Sequence, residues 1–161
     1  MADPRVEGFV AELKSSREFF ERSTRCLREE DSSFKPADDM LTAAQQFAHV
    51  GQTVDWFLDG AFNPNGFDLD FEAHAQQFLA YTSIEAGRKW VAEAFDRLIE
   101  KISATSFDDL AVPMPQGMVM GGAPRFAIVG GVVEHTAHHR GALSVYSRLR
   151  GLVPTMPYME A

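Results

Sequence analysis

The run VVEHTAHHRGALSVYSRLRG, residues 132–151, sets three histidines within five positions, directly ahead of an Arg-Gly pair. It reads as the later part of a helix that starts near Arg125 and stops at Gly151, where a glycine commonly ends a helix. An α-helix turns about 100° per residue, so side chains four apart share one face. His135 and His139 meet that spacing, and His138 breaks it. The shared face continues through Ile128, Val132, Ala142, Tyr146 and Leu149, an apolar stripe interrupted only by the two histidines. The neighbouring row holds Ala127, Gly131, Glu134, His138 and Gly141, which predicts that His138 and Glu134 face outward. Tyr146 is expected to pack with its hydroxyl paired. Arg140 and Arg148, off the inward face, are expected in surface or intersubunit salt bridges.

Three more helical segments precede this one. Val10, Leu13, Phe20 and Leu27 recur with a helical period from Pro4 to about Leu27. Pro36 then disfavours helix at Lys35, and a second helix is predicted from near Met40 to the Asn63-Pro64-Asn65-Gly66 turn signal. Phe47, Val54, Leu58 and Ala61 line one side of it, while Trp56 and His49 lie on nearly the opposite side. A helix apolar on two faces is buried on both or offers one to a partner. From Asp70, a predicted N-cap, to about Ile102 the period continues without a break. This stretch is expected to form the longest helix. Residues 104–124 carry Pro113, Pro115, Gly117, Gly121, Gly122 and Pro124, so they are read as a long connection, briefly extended at Met118–Met120. The expectation is an all-α protein, a four-helix bundle with a long connection before the last helix.

At 161 residues the chain suits one domain spanning positions 1–161. Its 15 Lys and Arg against 23 Asp and Glu give a net charge of −8, which argues against nucleic acid as a partner. The charged N-terminal stretch lacks the apolar run of a signal peptide, and no segment approaches the roughly 20 apolar residues of a membrane span. A cytoplasmic location is expected. Cys26, the one cysteine, cannot build a cysteine-rich zinc site, so any metal relies on histidine or carboxylate.

Two histidines on a buried stripe need polar partners. Hydrogen bonding within the core would satisfy them, and so would one cation shared by both rings. Catalytic zinc-type sites take three protein ligands and leave a position open. His49 in the second helix is the best third candidate, giving His49, His135 and His139. His74 is placed at the solvent-facing start of the third helix and is not counted as a ligand. Thr136 stands where the helical metalloprotease motif has its glutamate, so this is a different arrangement.

The histidine in FAHVGQTVDWF, the spaced pair in HTAHHRGALSVYSRLRG, and the helix order with its late long connection resemble the DinB/YfiT-like metalloenzyme superfamily across most of the chain. The resemblance implies a metal triad at His49, His135 and His139, a bundle that is often homodimeric, and zinc, nickel or another divalent cation as cofactor. It also implies relatives that act as bacillithiol- or mycothiol-dependent transferases or as a mycothiol-dependent isomerase, hence a low-molecular-weight thiol or other small-molecule substrate. Where the family has glutamine after the Arg-Gly pair, this chain has Ala142, and a polar contact near the site is expected to be lost.

A cation held by three imidazoles acidifies a bound water or thiol, from which thiol transfer or hydrolysis follows. The catalytic residues beyond the triad are not specified by the sequence. The competing reading is a non-catalytic, dimeric, metal-binding helical protein associated with stress. Met114, Met118 and Met120 either cover the site or pack the bundle end.

Overall fold

Six helices run in chain order through the computed structural model, which describes residues 3–159. They are α1 (Pro4–Thr24), α2 (Ala43–Phe62), α3 (Phe71–Leu79), α4 (Ile84–Ser103), the single-turn α5 (Phe107–Leu110) and α6 (Ile128–Leu149), with no strand among the described residues. The ends of the expected 1–161 domain, Met1, Ala2, Glu160 and Ala161, lie outside the described residues.

The four long helices close a ring in which α1 and α2 each pack against both α4 and α6. This is the all-α four-helix bundle expected, and its packing order, α1–α4–α2–α6, is what periodicity alone does not give. Leu13 and Phe20 from α1, Phe47 and Val50 from α2, Phe95 and Leu98 from α4, and Ile128 and Leu143 from α6 are fully buried in its centre. Each such side chain contributes on the order of 1.5–3 kcal/mol of apolar burial. Both faces of α2 are covered within the chain, by α4, α6 and α3, so the apolar surface considered for a dimer contact is used internally.

The expected long helix from Asp70 to Ile102 is two helices. Asp70 does cap α3, accepting from the Ala73 amide, but the chain turns at residues 80–83 and restarts at Ile84. Three acceptors take the first amides of α4: Ser83 Oγ bonds Ala86 N–H, Ser32 Oγ bonds Ile84 N–H and Glu29 carboxylate bonds Glu85 N–H. Those bonds satisfy a second helix start, which a continuous helix could not use. The longest helix is therefore α6, with 22 residues. α2 starts at Ala43 rather than Met40 because Thr42 and Gln45 form a reciprocal capping box. α1 ends at Thr24, where the Arg88 guanidinium from α4 donates to the carbonyls of Thr24 and Leu27.

The 104–124 connection folds back on itself through an isolated bridge between Pro113 and Pro124. Met118–Met120 form a turn rather than an extended segment. Met114 is buried in the core, Met120 packs against it and Met118 is 91% exposed. Gly151 closes α6 with φ +77°, as expected. Among the described residues no helix is long and apolar enough to cross a membrane.

Glycines set how closely α2 and α4 approach. A Cβ on Gly87 would lie 2.7 Å from Phe47 Cβ and 3.2 Å from the Ala48 amide nitrogen; one on Gly51 would lie 3.1 Å from the backbone of Trp90 and Val91. Gly87→Ala is expected to destabilise by roughly 1–3 kcal/mol through overpacking. Gly8→Ala, on an open face of α1 with nothing within 4 Å, should stabilise by about 0.5–1 kcal/mol. Urea denaturation of the two variants checks this: equal midpoints would contradict the seating of α4 on α2.

Candidate metal centre

His49 comes from α2, and His135 and His139 from α6, two adjacent helices of the ring. The structure brings all three together. Their ring centroids are 4.5–5.0 Å apart, and His135 Nε2 lies 3.3 Å from His49 Nε2. One ligand-capable atom from each lies within 4.8 Å of the others, a group that could hold a metal ion. His138 and Glu134 are exposed, as their row predicts.

The buried face of α6 is rotated slightly from the predicted stripe. It runs through Ile128, Val129, Val132, Thr136, His139, Leu143, Tyr146 and Ser147. Leu149 is exposed and Ala142 only half-buried. His139 thus sits near the centre of the buried face, 7% exposed. His135 sits at its edge, half-buried, where it borders a cavity.

A chain of hydrogen bonds fixes the chemical form of His139. Tyr146 hydroxyl donates to the Leu41 carbonyl at 2.7 Å, and carbonyls only accept. The same hydroxyl oxygen therefore accepts from Gln46 Nε2, at 3.3 Å. That orients Gln46 Oε1 toward His139 Nδ1, at 2.5 Å, and an amide oxygen only accepts. His139 carries its proton on Nδ1, and Nε2 is left with a lone pair. Gln46, 7% exposed, is the residue that sequence reasoning missed. Its position three before His49, on the same face of α2, is the signal that pointed to it.

The other two rings have weaker partners, with His49 Nε2 and His135 Nε2 3.3 Å from each other. His49 Nδ1 is 3.5 Å from Thr53 Oγ1, and His135 Nδ1 is buried without a partner. Burial pushes His139 down to about 3 and His135 down to about 4, with the neighbouring imidazoles adding to the effect. His49 is lowered too, first by burial and then by His138. All three rings are neutral at pH 7, the form in which imidazole binds metals.

A cavity of about 330 Å³ opens beside the cluster, walled by Trp56, Phe57, Phe71 and Phe78 and touching His49, His135 and His74. His74 lies in the first turn of α3, as predicted, but faces this cavity rather than solvent, with its side chain 16% exposed. The 104–124 connection contributes nothing to the lining. A larger space of about 490 Å³, between α1 and α4, is bordered by Glu18, Glu21, Arg22, Arg88 and Lys89 and does not touch the histidines. Arg140 lies over the Phe19 and Tyr158 rings, and the ion pair that anchors the end of α6 is instead Arg150 with Asp31, at 2.7 Å.

A family model for the DinB superfamily matches residues 12–143, a span that holds all three histidines and Gln46. The chain belongs to the DinB superfamily. The crystal structure of a DinB-like protein from Bacillus cereus ATCC 10987 shares its fold, with a TM-score of 0.73 and 20% sequence identity over 96% of this chain and 97% of that one. None of the curated proteins matches this DinB chain.

The lowered histidines give a pH dependence with a definite sign. Their folded values lie below the unfolded value of about 6.5, so the unfolded chain binds more protons in mild acid. Stability from the neutral rings is present above about pH 6.5 and is lost as pH falls toward the folded values. Chelator-treated protein should unfold at lower urea at pH 5.0 than at pH 7.5, a range in which few carboxylates titrate. A midpoint that rose toward pH 5.0 would mean that the rings are charged in the fold.

Proposed function

We propose that His49, His135 and His139 hold a divalent cation, zinc or nickel, and that the protein is a metal-dependent enzyme acting by thiol transfer or hydrolysis on a small molecule. The observation that carries this reading is the pair of Nε2 atoms facing each other at 3.3 Å. A tetrahedral cation with nitrogen ligands at about 2.0–2.1 Å spaces those nitrogens by roughly 3.3 Å. The imidazoles are neutral, and His139 offers Nε2 because Gln46 holds its other nitrogen. The donor set fits the group that the family implies.

When bound, the cation supplies Lewis acidity that lowers the pKa of a water or thiol. The chain's own residues do the rest. Gln46 and Tyr146 hold His139 in one tautomer and one orientation, a role that outer partners of ligating histidines commonly fill. Trp56, Phe71 and Phe78 give the approach to His49 and His135 an apolar lining. No carboxylate or thiol among the described residues joins the histidine group. A purely structural cation is normally saturated by protein ligands, so a three-histidine set beside a cavity favours catalysis over a structural role.

Elemental analysis of purified protein should find stoichiometric metal that is lost in His135→Ala. Equal, substoichiometric metal in both proteins would remove the proposal. Gln46→Leu should keep the cation but bind it about 10–100-fold more weakly in competition with a chromogenic chelator. An unchanged affinity would mean that the amide does not orient the ligand.

A further inference from the structure

The cavity beside the histidines has a chemical character that narrows its ligand. Its walls are aromatic: Trp56 stands 6.2 Å from Phe71 and 5.3 Å from Phe57 between ring centroids, and Phe78 lies 4.4 Å from His49. Trp56 is pinned there, its indole N–H donating to the Asp68 carbonyl at 2.8 Å. No lysine or arginine lines the space; its polar lining is Gln52, Thr53 and the histidines. Gln52 and Thr53 are buried and face each other at 3.5 Å.

His74 is the one polar group on the wall opposite His49 and His135. Its Nε2 lies 3.4 Å from Asp68 Oδ2, yet neither ring nitrogen makes a hydrogen bond. Asp68 is thus the neighbour of Nε2, and Nδ1, buried with no partner at all, is the nitrogen for which an incoming polar group would be favourable. α3, which carries Phe71, His74, Ala75 and Phe78, has no buried residue of its own and packs on α2. It covers the cavity without being part of the core.

We infer that this cavity binds a small molecule with an aromatic or otherwise apolar body and a single donor atom directed at the three histidines, with His74 as its second polar contact. A hydrophilic thiol with carboxylates and an ammonium group finds no Lys, Arg, Asp or Glu on these walls to pair with and gains nothing from the aromatic lining. An apolar body loses nothing there and gains ring contacts. The donor atom rests on the metal reading above; the apolar body rests on the cavity alone.

Isothermal titration calorimetry with benzyl mercaptan and with glutathione, on metal-loaded and on EDTA-treated protein, tests both halves. Benzyl mercaptan is expected to bind in both arms, more tightly in the loaded one, and about tenfold or more tighter than glutathione throughout. Ala75→Trp, which fills the cavity from α3, should weaken benzyl mercaptan about tenfold or more while leaving metal content unchanged. Phe71→Ala should weaken it severalfold by removing a wall. Glutathione binding as tightly as benzyl mercaptan overturns the inference, as does benzyl mercaptan affinity that neither variant changes. Equal benzyl mercaptan affinity in the two arms, with metal content confirmed in the loaded one, overturns the donor half alone, whereas a protein that takes up no metal overturns the metal reading instead. No binding of benzyl mercaptan to the wild type overturns the cavity half alone.

Discussion

The hydrogen bond between Gln46 and His139 ties the fold of this protein to its chemistry. It joins α2 to α6 inside the core, and its direction is dictated by the next two bonds, through Tyr146 to the Leu41 carbonyl. Each polar group in that chain is buried or nearly so, where an unpaired donor or acceptor costs about 1–3 kcal/mol. The chain therefore has one satisfied arrangement. In that arrangement His139 Nε2 is bare and held beside the two rings that face each other at 3.3 Å.

The rest of the bundle serves to place α2 against α6 so that this contact can form. α4 sits close to α2 because Gly51 and Gly87 leave room for backbone approach. Its start is secured by Ser83, Ser32 and Glu29. At the far end of α6, Arg150 pairs with the buried Asp31 in the connection after α1. Both α2 neighbours are thus fixed from outside the site. The rings themselves are burdened by burial rather than relieved by it: His135 Nδ1 has no partner, and all three titrate low. A cluster of neutral imidazoles with ring nitrogens this close, one of them unpartnered, is a poor way to fill a core and a good way to receive a cation.

Much of this was legible in the sequence, for reasons that differ residue by residue. His135 and His139 could be paired because four residues make one helical turn, and His138 could be set aside for the same reason. The phase of the α6 stripe was less exact, because packing against both α1 and α2 rotates the buried face toward Thr136, Leu143 and Ser147. That rotation leaves His135 at the rim, where it meets the cavity. The break between α3 and α4 was hidden by an unbroken apolar period; what starts the new helix is a serine cap joined by groups from the 29–32 segment, far away in sequence. Gln46 shares the face of His49 by spacing, but its role depends on His139 packing opposite it, and His74, read as solvent-facing, turns to the cavity because of how α3 seats on α2; neither packing is encoded in spacing along one chain. The Thr42 and Gln45 capping box, by contrast, was present in the sequence as an ordinary signature.

Anomalous difference density at the absorption edge of the bound metal, from crystals of the loaded protein, is the most direct test of the central claim. A single strong peak is expected within about 2.0–2.2 Å of Nε2 of His49, His135 and His139, with Gln46 still on Nδ1 of His139. A peak on His74 or His138 instead, or none within reach of the three rings, would contradict it.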